Sequence, residues 1–268
     1  EQIELQKADF VRLGILGDWN NPYKTMDFNT EAGIVRALGE IYKNGYLYSG
    51  VKPVHWCIDC ASALAEAEVE YYDKVSPAID VAFKALDNAA VAKKFGVILA
   101  NDADILAVIW TTTPWTLPAN QAICAGPEVE YALVKNGATS YVIVAKNLVE
   151  ESLKRYAVAE YSVVGITQGS ELELLQFQHP FYARHVPIIL GEHATDDAGT
   201  GLVHTAPAHG MDDYLVGLKY NLDLHNPVGG DGNYISTTEL FAGMNVFAAN
   251  AKVIEGLTER KRLMKQDD

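Results

Sequence analysis

Between Ser76 and Asn245 the chain is broken into short apolar runs, and that cadence limits its possible folds more than any other feature. IDVAFKAL, DILAVIWTT, AICAG, YALVKN, SYVIVA, YSVVGIT, HVPIILG and GLVHTAP each last four to nine residues, separated by Gly, Pro, Asn or Asp. Runs this short, rich in β-branched and aromatic residues, predict strands. Between them only AAVAKKF, NLVEESLKRY and MDDYLVGLKYN predict helices. Many closely spaced strands with few helices predict a mixed α/β fold, a barrel-like sheet with helices packed outside.

The flanks read differently. FNTEAGIVRALGEIYKNG predicts a helix: Asn29 or Thr30 can cap it, Ile34, Leu38, Ile41 and Tyr42 form a stripe, and Gly45 suits its end. In ALAEAEVEYYDKV, Ala63, Ala65, Ala67, Val69 and Tyr71 alternate with Leu64, Glu66, Glu68 and Glu70, which favours a strand with one wet face. From Ala248 onward the pattern predicts helix, and TERKRLMKQDD reads as a helix cut off. The expected organisation is a flanking helical and cysteine-bearing segment over 1–75, a β-rich body over 76–245 and a helical flank over 246–268. Both chain ends are expected to pack together as a helical and strand stalk. With no initiator methionine, the chain reads as a piece excised from a longer one.

Of 268 residues, 49% are hydrophobic and 21% charged, enough for a sizeable core. No run approaches the ~18 to 20 apolar residues of a membrane helix, and EQIELQKADF lacks the apolar centre of a signal peptide. Three cysteines fit a reducing cytoplasm better than a disulfide scaffold. The net charge of −14 argues against a nonspecific nucleic-acid binder, though not against a protein that touches only the end of a nucleic acid.

Four clusters could carry chemistry. In WTTTPWTLPAN, Pro114 and Pro118 stiffen a turn after a strand, where Thr111, Thr112 and Thr113 present hydroxyls and Trp115 and Asn120 stand close by. A strand end capped by threonines is the plain alternative. In AGTGLVHTAPAHGMDDY, His204 sits in a strand, His209 follows a proline turn, and Asp212 and Asp213 open a helix where acids suit the dipole. Buried structural histidines and capping acids would explain each of these singly, but not so readily all together. The spacing is not that of a helical zinc site, and no GxSxG elbow supports a serine triad. Cys57 and Cys60 in HWCIDC are half of a zinc knuckle or a plain thiol pair; Cys124 sits in an apolar strand and supplies no second pair. Arg260, Lys261, Arg262 and Lys265 read as a solvated helix face, with phosphate contact the weaker alternative.

Assembled, WTTTPWTLPANQA and GTGLVHTAPAHGMDDY resemble the editing domain of isoleucyl-tRNA synthetases, the connective peptide 1 insertion of these class I enzymes. VKPVHWCIDCASALAEAEVEYYDK and GDWNNPYKTMDF resemble the family's flanking segments, so the likeness covers nearly the whole chain. The valine and leucine enzymes carry arginine after two threonines and lack the Trp-Thr-Leu-Pro-Ala-Asn continuation. Ala208 and Met211 stand where the family usually has glycine and proline.

The resemblance implies hydrolysis of valine wrongly esterified to the 3′ CCA end of isoleucine tRNA, and of valyl-adenylate. It implies catalytic roles for Thr111, Thr112, Thr113 and Asp213, with Trp115, Asn120, His204, His209 and Asp213 binding substrate. Asp213 would pair with the α-ammonium, His204 would exclude isoleucine, and the threonines would hold the ester and an attacking water. No cofactor is implied for editing. Zinc at Cys57 and Cys60 is implied only in the full-length parent, where a second cysteine pair lies beyond this segment. The ATP site and synthetic motifs are absent from these residues, so no synthetic activity is expected. The expected partners are the tRNA end, valine and valyl-adenylate analogues and the remainder of the parent synthetase, with no membrane. A docking module that binds the tRNA end without turnover is the alternative.

Overall fold

The computed structural model describes residues 1–267. It divides into two compact units, Glu1–Val51 and Lys52–Asp268. The first carries helices α1 (Gln2–Arg12) and α2 (Phe28–Lys43). The helix expected at Phe28 is present, but Asp27 precedes it and no side chain caps it. Its stripe of Ile34, Leu38, Ile41 and Tyr42 remains exposed.

The larger unit runs, in chain order, through β1 (Trp56–Cys57), β2 (Ser62–Ala63), β3 (Ala78–Ala85), α3 (Asn88–Lys94), β4 (Asp104–Thr111), β5 (Ala122–Ala125), β6 (Glu130–Lys135), β7 (Ser140–Ala145), α4 (Val149–Arg155), β8 (Ser162–Gln168), β9 (Gln176–Gln178), β10 (His185–Leu190), β11 (Leu202–Thr205), α5 (Met211–Lys219), α6 (Val246–Glu259) and β12 (Leu263–Asp267). Every strand expected between Ser76 and Asn245 forms, as do the three helices expected among them.

Ten strands make one sheet in the order β11-β5-β10-β9-β3-β4-β7-β6-β8, with β12 on β3. β10 with β5 and β4 with β7 are parallel; the other pairs are antiparallel. The path has two free ends, so the barrel-like expectation is corrected to an open mixed sheet. β3 divides one edge between two partners, with Ala78–Val81 on β12 and Lys84–Ala85 on β9.

The central strands are buried on both faces, which is why their sequences run nearly continuously apolar. Ile105, Ala107 and Ile109 of β4 join the larger core with Phe83 and Ile143. The alternate residues Leu106 and Val108 pack with Val142, Val144 and Leu153 on the other face.

Two expectations fail at the flanks. The alternating ALAEAEVEYYDKV forms only the short β2 and a 3-10 turn over Glu66–Glu68, where Glu68 accepts the Ala65 N–H at 2.8 Å. The β1–β2 register ends at Ala63, Leu64 N still donates to His55 O at 2.9 Å, and the glutamates of the segment face water. The tail expected to be helical throughout is helical only to Glu259, then becomes β12 because the free half of β3's edge accepts it. Ala249, Val253 and Leu257 of α6 belong to the larger core, so this flank is packed into the body. Among the described residues no helix is long and apolar enough to cross a membrane.

Buried Tyr131 ties two turns beside the sheet. Its hydroxyl accepts from Gly126 N at 2.9 Å and donates to Gly201 O at 2.6 Å. Tyr131→Phe leaves both backbone groups buried without a partner, so it should cost about 1–3 kcal/mol. Urea unfolding at pH 7 with an unchanged m-value checks this; a loss under about 0.5 kcal/mol contradicts it.

Candidate active site

β4 and β11 approach one another at the ends that carry Thr111 and His204. After β4 the chain turns into a 3-10 helix over Pro114–Ala119, with Pro114 at its start and Pro118 inside. Proline lacks the donor that would continue a strand ladder, so the strand stops and the threonines gather. After β11 the chain turns through Pro207 and His209 into α5, whose first turn carries Asp212 and Asp213. The result is a cavity of about 210 Å³ lined by Thr111, Thr113, Thr116, His204, His209 and Asp213, with Trp110, Val203 and Ala206. A neighbouring hollow of about 260 Å³ shares Trp110, Thr111 and Val203 and adds Thr112 and His193. A larger hollow, about 500 Å³, lies by α3 and residues 96–101, but brings no acid, histidine or thiol together.

The cavity wall is a chain of hydrogen bonds. Asn120, fully buried, donates through Nδ2 to Ala122 O at 2.8 Å, which fixes the orientation of its amide. The same Nδ2 lies 3.0 Å from His204 Nδ1. Nδ1 must therefore accept, and the proton of the neutral ring sits on Nε2. Nε2–H donates to Thr116 Oγ1 at 2.7 Å, and Thr116 donates to Thr113 O at 2.9 Å. Burial pushes His204 down to about 3. Thr113 N donates to Thr111 Oγ1 at 3.1 Å, and the hydroxyls of Thr111 and Thr113 lie 3.2 Å apart. Those two hydroxyls can reorient toward a bound oxygen.

Asp213 supplies the negative charge. Its Oδ2 accepts from Ala206 N at 2.9 Å. Burial pushes its carboxyl up, while that backbone bond and His193 pull the other way. His209 packs edge-on against Trp115 with ring centres 5.1 Å apart, and burial pushes it down to about 4. Asp212 is exposed.

The sequence-derived residues thus divide. Thr111, Thr113, His204, His209 and Asp213 line one cavity, and Thr112 lines the hollow beside it. Asn120 and Trp115 line neither. Asn120 stands behind His204. Trp115 is held by its backbone, its N–H to Asn250 Oδ1 and its carbonyl accepting from the Tyr234 hydroxyl. Trp110, Thr116 and His193 line the cavities and were not anticipated, though Trp110 and Thr116 belong to WTTTPWTLPAN itself.

Cys57 and Cys60 lie in and beside the β1–β2 hairpin, where Cys60 N donates to Cys57 Sγ at 3.2 Å. The Cys60 thiol and that N–H hold Cys57 below the ordinary thiol range, and Cys60 is raised in turn. Among the described residues no three His, Cys, Asp or Glu side chains gather as a metal set, so two thiols leave a tetrahedral site half complete. Of the basic tail residues, Arg260 lies over Phe181 and Lys265 pairs with Asp267 at 3.0 Å.

Residues 1–255 match the family of tRNA synthetases class I (I, L, M and V). The chain belongs to the class I tRNA synthetases. It is 61% identical over 264 residues to the isoleucine–tRNA ligase of Chromobacterium violaceum, covering 98% of this chain and 28% of that relative. An isoleucine–tRNA ligase of Actinobacillus pleuropneumoniae is 58% identical, with 99% and 28% covered. This synthetase chain therefore spans a little over a quarter of the length of the curated relatives it matches. Its fold is that of synthetase editing domains. The domain GlLeuRS-CP1 matches with a TM-score of 0.59 at 16% identity, over 71% of this chain and 99% of that one. The P. knowlesi cytosolic leucyl-tRNA synthetase editing domain matches at 0.55 and 13%, over 72% and 96%.

The buried histidines set a pH dependence. His179, His204 and His209 are pushed down from 6.5 to about 3, 3 and 4. Between these values and 6.5 the unfolded chain binds protons that the folded synthetase chain refuses, so their stabilising effect is complete above 6.5 and declines as pH falls. Asp80, pushed up to about 6 by burial, and Asp213 act in the opposite sense. From pH 5 to 8 His204 should stay neutral with its proton on Nε2. Long-range 1H–15N spectra check this, and a ring titrating between pH 6 and 7 contradicts it.

Proposed function

We propose that this chain is the editing domain of an isoleucyl-tRNA synthetase, hydrolysing valine mis-esterified to isoleucine tRNA, and valyl-adenylate, in the cytoplasm. The observation that carries this is one buried-sided carboxylate and a group of threonine hydroxyls facing the same small cavity as a neutral histidine wall. The identity to isoleucine–tRNA ligases supports the choice of amino acid.

The chemistry needs little from the protein. An aminoacyl ester is already activated, so holding it beside a water accounts for most of the required rate. Asp213 receives the α-ammonium in a charge-assisted bond. The Thr111 and Thr113 hydroxyls hold the ester carbonyl and the attacking water, and Thr112 faces the nucleoside side. His204, braced by Asn120 and Thr116, forms the wall against which the side chain packs. No cofactor takes part. Zinc at Cys57 and Cys60 would need ligands from elsewhere in the parent enzyme and plays no step here.

The need for such a site follows from energetics. A missing methylene is worth only ~1 to 3 kcal/mol in a binding pocket, a limit for which isoleucyl-tRNA synthetases are themselves the standard illustration. The net charge of −14 suits a domain that meets only the single-stranded tRNA end while the rest of the parent grips the body.

The test is deacylation of valyl- and isoleucyl-tRNA, both on isoleucine tRNA. The chain should remove valine and spare isoleucine. Asp213→Asn should lower kcat/KM for the valyl ester about ten- to a hundredfold, the worth of one hydrogen bond to a charged group. His204→Ala should open the wall and raise cleavage of the isoleucyl ester. If neither ester is cleaved while a valyl-adenosine analogue still binds, the chain is a docking module without turnover.

A further inference from the structure

His193 has no place in the roles assigned so far. It lies in the turn after β10, where Gly191 N donates to Ala125 O at 3.1 Å and Ala194 N returns to Gly191 O at 3.2 Å. The turn seats the ring closely. A Cβ on Gly191 would come 2.8 Å from His193 Cε1, 2.9 Å from Nδ1 and 2.7 Å from Cys124 Sγ, so only glycine leaves room for the imidazole. Held there, His193 lines the hollow next to the site. Its Nε2 is buried without a hydrogen-bond partner and lies 4.0 Å from Asp213 Oδ1.

A buried polar nitrogen without a partner is costly unless something completes it. Asp213 Oδ1 is the acceptor it faces, while Oδ2 is already engaged by Ala206 N–H at 2.9 Å. A carboxylate opposite a ring nitrogen selects the tautomer that carries its proton on that nitrogen. From this geometry we infer that His193 is a positioning residue for Asp213: its Nε2–H closes on Oδ1, and with Ala206 N–H on Oδ2 clamps the carboxylate plane toward the cavity. The inference rests on the editing function proposed above and adds a residue to it. Such a clamp matters because a carboxylate free to rotate about its Cβ–Cγ bond must be ordered each time an ammonium arrives, and small misplacements cost rate steeply.

The effect of His193 must therefore pass through Asp213 and through the α-ammonium. Hydrolysis would be compared on valyl-tRNA and on its α-hydroxy counterpart, made by nitrous acid deamination, for the wild-type chain, His193→Phe, His193→Gln, Asp213→Asn and the double variant. His193→Phe should lower kcat/KM for the valyl ester about ten- to a hundredfold, chiefly through KM, as loss of one hydrogen bond to a charged group predicts. His193→Gln, which keeps a donor at the same reach, should recover most of it. Neither should change hydrolysis of the α-hydroxy ester, and neither should add to Asp213→Asn. An equal loss on both esters, or additivity with Asp213→Asn, overturns the clamp. A second measurement needs no turnover: in the ligand-free chain the His193 15N shifts should report the Nε2–H tautomer and move in Asp213→Asn. The opposite tautomer overturns the clamp. Failure of the wild-type chain to cleave either ester would overturn the editing function, and the spectra would still decide the clamp.

Discussion

The imidazole of His204, buried between Asn120 and Thr116, joins two stretches of chain that are far apart in sequence. Asn120 follows the 3-10 helix after β4, Thr116 belongs to that helix, and His204 lies in β11. Each bond constrains the next: the Ala122 carbonyl orients Asn120, Asn120 sets the proton on His204, and His204 leaves Thr116 free to donate only to Thr113. A buried network with every ring nitrogen satisfied is rigid, because any break leaves an unpaired polar group in a low dielectric. The positions of Thr111 and Thr113 depend on this network.

The fold supplies the approach that makes the network possible. β5 pairs with both β10 and β11 at the end of the open sheet, and so brings His204 beside the turn that ends β4. Tyr131 then ties Gly126 to Gly201 behind the same corner. Gly199 and Gly201 both have positive φ, and a Cβ on either would strike Trp110 or Ala145. The glycines of AGTG are thus required by close packing against β4 and β7.

The central strands were legible because they are buried on both faces, and the threonine and histidine segments because their residue types are unusual for such places. What was not legible depended on partners distant in sequence. β12 is a strand only because half of β3's edge is open to it, and Lys265, Gln266 and Asp267 carry no β signature of their own. The alternation in ALAEAEVEYYDKV was genuine, yet of its residues only Ala63 pairs, on β1. Closure of the sheet could not be judged from strand count, since it depends on whether the end strands meet. Thr116 stood in plain view, yet its role depends on a histidine on another strand. His193 meets Asp213 only because the turn after β10 lies beside the first turn of α5, and Asn120 supports the wall from behind, a place its chemical type does not distinguish from the cavity itself.

On the editing function proposed here, rigidity of the His204 wall has a direct consequence for discrimination. A pocket made for the larger of two homologous side chains always admits the smaller, and forfeits only the small attraction of one methylene. A pocket made for the smaller acts through repulsion, which rises much faster with distance than attraction falls. Forcing an extra methylene into a packed, hydrogen-bonded wall costs about 1–3 kcal/mol and more where nothing can yield. A wall braced at both ring nitrogens has little room to yield, because moving the imidazole breaks a bond on either side. The same reasoning explains why the ring is better neutral than charged: an imidazolium would attract water and the substrate's own polar groups into the space reserved for a branched hydrocarbon, and would repel the α-ammonium that Asp213 is placed to receive.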